Sequence, residues 1–279
     1  EISCSLVGSE MCIRDRHKYY EIAKIHIKSQ LAWRGDVVFQ MMFTMTKILF
    51  AYLLWGIIFA TRPEVAGFSF HSMLSYYIIS SFLAQLELSD GISREISTRI
   101  RNGTFSKYMV IPVNIQAYFV AMETGIVVYY GVFQFLAAFV WIFILQIRFV
   151  FTNHLLLIAA AFFLIFLGLL FMVQLNYYLG LLTLKYQEIN TFLMIKDNLV
   201  TLVTGGIVPL VLLPEGIVNV MKLLPFYYVT YLPSMLLTGR LKEEAVPGLV
   251  IIFLWCLFLH ILIKFTWGSY RRTYDGVGI

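Results

Sequence analysis

Two ionisable side chains stand inside apolar stretches, where an uncompensated charge costs several kcal/mol. Lys47 lies about ten residues into the stretch that begins at Val37, roughly 15 Å deep at ~1.5 Å per helical residue. Glu123 lies about eight residues into the stretch that begins at Ile115, roughly 12 Å deep. Similar depth and opposite sign make them a candidate pair. The pair reads as a polar element of a substrate path or conformational gate, or as a structural ion pair, with Lys47 alternatively snorkelling. Asn198 and Thr201 share a face of a later stretch, with Thr204 slightly round it. They line the same path or bond between helices. Lys196 and Asp197 enter that stretch only a turn or so from its end, which reads as a boundary feature.

The densest polar chemistry lies elsewhere, in the basic, helix-patterned block from Glu87 to Asn114 between two long apolar spans. Such a block sits in water at one membrane face, where a soluble partner can grip it. The rest of the chain offers no motor. No Gly-x-x-x-x-Gly-Lys-Ser/Thr loop is present to cradle a phosphate, and the His-Glu-x-x-His and Gly-x-Ser-x-Gly patterns are absent. His17, His26, His71, His154 and His260 are dispersed without ligand spacing. No catalytic residue, metal site or bound cofactor is expected, and an enzyme is not supported.

Composition says what must hold this block. Of 279 residues, 60% are hydrophobic and 13% charged, and the mean hydropathy is +0.80. Soluble domains carry about 25% charged residues, so continuous apolar runs of roughly 18 residues or more read as membrane helices. The net charge of +5 suits anionic lipid headgroups, and its scatter around the spans argues against nucleic acid. Residues 1–16 lack an initiator Met and resemble a translated sequencing-adaptor fragment. They are expected to be non-native, leaving 17–279 as a single transmembrane domain. Of the three cysteines only Cys256 lies outside that fragment, so no disulfide is expected.

From Lys18 to Arg34 the pattern is amphipathic. Tyr19, Tyr20, Ile22, Ala23, Ile27, Leu31 and Trp33 lie on one side, with Lys18, Glu21, Lys24 and Lys28 on the other, which predicts a helix in the headgroup plane. Six spans follow, over Val37–Ala60, His71–Ser89, Ile115–Leu145, His154–Leu182, Phe192–Leu213 and Pro247–Trp267. The third is long enough to need tilt, a break or an extension. The fifth has Gly205, Gly206 and Pro209 available to bend it. Twelve Lys and Arg flank one side of this layout, Arg271 and Arg272 among them, against five on the other. Both termini and the basic block are therefore expected in the cytoplasm. Leu213–Val246 is too apolar for a free loop yet is interrupted by Pro214, Pro225 and Pro233. It reads as two short helices re-entering the outer leaflet, or as an interfacial loop anchored by Phe226, Tyr227, Tyr228 and Tyr231.

Three segments in order carry a family likeness. They are Ser93-Arg94-Glu95-Ile96 continuing through Ile100-Arg101-Asn102-Gly103 to Ser106-Lys107-Tyr108 and Pro112-Val113-Asn114; Gly205-Gly206-Ile207-Val208-Pro209-Leu210; and Leu224-Pro225-Phe226-Tyr227-Tyr228 with Pro233 and Gly239-Arg240-Leu241. Together they resemble permease subunits of type-2 ABC exporters, in particular the branch with paired permeases beside one ATPase, and the likeness covers Lys18 to Tyr274. It implies an all-α membrane protein of six helices, with an amphipathic elbow helix, a cytoplasmic coupling helix and outer re-entrant helices. The segment matching the coupling role is Ser93–Tyr108. There Arg94, Glu95, Arg99, Arg101 and Lys107 are expected to meet a groove on the ATPase, with Ile96 and Ile100 as apolar anchors. Pro209, Pro214, Pro225, Phe226, Tyr227 and Pro233 fall in the outer gate. The implied partners are a cytosolic ATPase in two copies, which binds the ATP and magnesium, and a second permease, identical or homologous. A different class, an ion- or proton-coupled carrier using Lys47 and Glu123, is also open, although no inverted repeat is visible.

Overall fold

The computed structural model describes residues 2–32, 34–111, 113–144, 146–205 and 209–270, with the side chains of 2–16 and of 34 left undescribed. Trp33, Pro112, Leu145, Gly206, Ile207, Val208, Arg271, Arg272 and Tyr274 lie outside the described residues.

The chain is all-helical, without a strand among the described residues. In order it runs α1 Ile2–Ala32, α2 Arg34–Thr61, α3 Phe70–Leu86, α4 Asp90–Arg101, α5 Ser106–Val110, α6 Ile115–Ile144, α7 Leu155–Leu181, α8 Asn190–Val203, α9 Glu215–Met221, α10 Tyr231–Leu237 and α11 Ala245–Tyr270. Helices α2, α6, α7 with its short 3-10 extension, and α11 are long and apolar enough to cross a membrane. Helix α6 is continuous over 30 residues.

Helix α3 has 17 residues, roughly 26 Å, opened by a capping box between Ser69 and Ser72. The expected fifth span is corrected. Helix α8 stops at Val203 after 14 residues, because Gly205 takes a left-handed φ of +74° and Pro209 is extended at ψ 130°.

The core is built around α7. Its small residues allow close crossings: a methyl group at Gly168 would stand 3.0 Å from the Val229 Cα. At the opposite face of the bundle α1 lies against α6, where a methyl group at Gly125 would strike the Ala23 carbonyl oxygen at 2.3 Å. The Tyr19 hydroxyl accepts from the Asn114 amide at 3.2 Å. The amphipathic reading of α1 thus meets a protein surface. Ile22 packs on the core, but Tyr20 and Leu31 of the expected apolar face are exposed.

The second half of the segment between α8 and α11 is buried, whereas most of α9 is exposed. Pro225, Phe226, Tyr227, Tyr228 and all of α10 are inside the bundle. Burial of α10 against α3 and α7 supplies the apolar cover that so proline-rich a backbone needs. Gly248 of α11 admits the Leu232 side chain, which would stand 2.5 Å from a methyl group there.

Candidate functional site at the charged end of the bundle

Helix α4 is strongly amphipathic. Ile92, Ile96 and Ile100 fall at i, i+4, i+8 on one stripe and are fully buried. They seat on α7, where Gly180 leaves so little room that a methyl group would approach the Ile96 Cβ to 2.9 Å. Phe105, Tyr108, Phe119 and Tyr177 complete the cluster. This corrects the role expected of Ile96 and Ile100. As apolar anchors they grip α7 of their own chain, leaving no surface for a soluble partner. Ser93 is buried for the same reason, its hydroxyl donating to the Asp90 carbonyl at 2.9 Å.

The charges divide into two sets. Glu95 and Arg99 face each other at 2.9 Å, and the Tyr108 hydroxyl donates to the same Glu95 oxygen at 2.7 Å. Arg99 and Lys107 lie over the Tyr108 ring, 5.4 and 4.8 Å from its centre. Burial, and after it the hydrogen bond to Glu95, pushes the Tyr108 phenol well above its usual value. This knot fixes α5 to α4. Arg94, Thr98 and Asn102 instead face outward, with the Arg94 side chain 67% exposed, and Lys107 is exposed too where it caps Tyr108. Arg101 reaches Glu188 at 3.8 Å, spanning from α4 to the loop before α8.

Behind α4 runs a polar chain that sequence reasoning missed. Lys196 of α8, only 6% exposed, pairs with Asp90 at the start of α4 and with Asp197 at 2.9 Å. The Lys196 ammonium also donates to the Asn176 Oδ1 of α7 at 3.2 Å. Asn176 Nδ2 donates to the Ser89 hydroxyl at 2.7 Å, and that hydroxyl donates to Glu87. Four elements meet here: the α3–α4 turn, α4, α7 and α8. The small depth of Lys196 along α8 marks it as a boundary cation, but α4 and α7 close over it and bury it. The available signal was Asn176, which with Gln174 is one of two amides in an otherwise apolar span. A cavity of about 280 Å³ opens beside this chain, lined by Asp90, Arg94, Asn190, Lys196 and Asp197.

Lys47 and Glu123 are not brought together. Lys47 is exposed on α2, whereas Glu123 is 3% exposed on α6. The Glu123 carboxyl instead approaches the Leu88 amide, and one of its oxygens has no partner. Asn198 and Thr201 lie on the exposed face of α8, where the Thr201 hydroxyl donates to the Asp197 carbonyl at 2.7 Å.

At the far end Pro209, Pro225, Phe226, Tyr227 and Pro233 are buried and Pro214 is exposed. Glu244 holds this end by accepting from Lys222 at 2.7 Å and from the Tyr227 hydroxyl at 2.8 Å.

Comparison with curated proteins and with solved structures gives no match. A family model described as ABC-2 family transporter protein matches residues 45–278, which takes in α3 to α11 and all of the charged end except α1. With four helices long enough to span a bilayer among the described residues, this multi-pass membrane chain therefore belongs to the ABC-2 transporter family.

Proposed function

We propose that this chain is the permease subunit of an ATP-driven exporter whose energy comes from separate ATPase subunits docking on α4 and α5. One observation carries this reading. Helix α4 is seated on α7 by Ile92, Ile96 and Ile100 and tied to α8 through Asp90 and Lys196, while Arg94 and Lys107 remain outward. A force applied to the outer face of α4 therefore reaches two helices of the bundle at once. ATP and magnesium belong to the partner in this reading, since no phosphate-cradling loop occurs in the chain.

In finer terms, α3 and α8 are the two short members of a six-helix permease, α1 its elbow, α4 its coupling helix, and α9 and α10 its re-entrant outer gate. Pro209 and Pro214 fall at the break between α8 and α9. The basic end faces the cytoplasm, and the working unit is two permeases, identical or homologous, with two ATPases. A cytoplasmic membrane is the expected location. The ion-coupled alternative loses its main support, because Lys47 and Glu123 are separated into exposed and buried environments.

Affinity purification of the full chain from its host in mild detergent tests the reading. A nucleotide-binding subunit should co-purify and be lost when Arg94 and Lys107 are both replaced by Glu. Recovery of the intact permease without any ATPase, or transport that survives deletion of that ATPase, would overturn it.

A further inference from the structure

Two adjoining cavities open at the charged end, between α1, α5, the start of α6 and the last turns of α11. One is about 530 Å³ and the other about 630 Å³, and they share Asn114, Gln116 and His260 as a common wall. Their two halves differ chemically. The smaller is lined by Lys264 and His260, which sit one helical turn apart on the same face of α11, with Trp267 beyond them. The larger runs up α6 past Ala117, Val120, Ala121 and Thr124, a strip of small and apolar side chains roughly 12 Å long at ~1.5 Å per residue.

The Lys264 ammonium makes no ion pair among the described residues, and neither cavity is lined by a described carboxylate. A cation and an imidazole beside amide donors, open to an apolar trough on two membrane-length helices, match an amphiphile with an anionic head. A soluble anion would use only the first half, and a neutral lipid only the second. The geometry points to a resident anionic phospholipid, its phosphate between Lys264, His260 and Gln116 and one acyl chain lying along Ala117–Thr124 beneath α1. The Trp267 ring at the mouth suits headgroup depth. The lipid would bridge α1, which packs on α6, and α11, which packs on α7.

The test is native mass spectrometry of the purified full chain, titrated with phosphatidylglycerol or phosphatidylcholine of identical acyl chains. The wild type should prefer phosphatidylglycerol by about fivefold, the magnitude expected for one lysine near a headgroup. Lys264→Gln should bring the preference close to parity while Lys264→Arg retains it. Ala117→Trp, which fills the trough, should reduce binding of both lipids. An unchanged preference in Lys264→Gln, or displacement of the lipid by soluble glycerol phosphate at equal concentration, would overturn the assignment. Should a variant fail to fold, the wild type still decides. Phosphatidylglycerol carrying a photoreactive group on one acyl chain should label α6 between Gln116 and Thr124 or the facing part of α1, and labelling confined to other helices would refute the site.

Discussion

Ile96 lies directly over Gly180, with room for a hydrogen atom and nothing larger: a methyl group on the glycine would stand 2.9 Å from the isoleucine Cβ. This one crossing sets how α4 rides on α7. Gly180→Val should destabilise the protein by about 1–3 kcal/mol, the usual cost of overpacking, and weaken ATPase association by tilting α4. Gly91 on the same helix has nothing within 4 Å of a built methyl group, so Gly91→Ala should be tolerated. Thermal unfolding of both variants in detergent compares them, and equal loss would show that the crossing is not special.

Lys196→Met removes the cation that Asp90, Asp197 and Asn176 share. Breaking a fully buried pair costs ~3–5 kcal/mol, but Asp90 and Asp197 are 37% and 52% exposed, so about 1–3 kcal/mol is expected here. A cycle with Asp90→Asn should give a coupling above about 0.5 kcal/mol, as neighbouring charges do. Additive losses would mean that the contact carries no energy.

The same cycle on Lys47→Met and Glu123→Gln should give no coupling beyond about 0.5 kcal/mol, because one residue is exposed and the other buried. Glu123→Gln alone should be neutral or stabilising, since one carboxyl oxygen is buried without a partner. A strong coupling would reinstate the pair.

Tyr108 supplies a pH signature. Its phenol is held above the ordinary value of 10.0, so the folded state keeps the proton that the unfolded chain gives up. The resulting stabilisation is fully present below that value and is lost as pH rises from about 10 through the higher folded pKa. The stability advantage of wild type over Tyr108→Phe should therefore shrink across alkaline pH, and an advantage flat to the most alkaline measurable pH would contradict the burial of the Tyr108 phenol against Glu95.

Much was legible from local pattern. Apolar run length marks α2, α6, α7 and α11, and the i, i+4, i+8 isoleucines mark α4 and its apolar stripe. Gly205 and Pro209 mark a bend in the fifth apolar stretch, where the structure instead ends α8 at Val203. Proline-interrupted apolar sequence marks α9 and α10 as more than a loop. The ABC-2 likeness read from three short segments agrees with the family that the chain belongs to.

What only the tertiary structure decided is which side of each element is covered, and by what. The stripe of α4 has the same spacing whether it faces an ATPase or α7; the hydrogen at Gly180 settles the matter by leaving room for Ile96. Depth along a helix marked Lys47 as the buried charge and Lys196 as a boundary feature, yet it is Lys196 that the protein encloses, while Lys47 lies uncovered on α2. Burial depends on neighbouring helices as well as distance from a helix end: α4 and α7 enclose Lys196, while among the described residues none encloses Lys47. Sequence thus determined the membrane class and the amphipathic platform. Packing alone determined the Glu87–Ser89–Asn176–Lys196–Asp90 chain, because its members are more than a hundred residues apart at the extremes and meet only when three helices close around them.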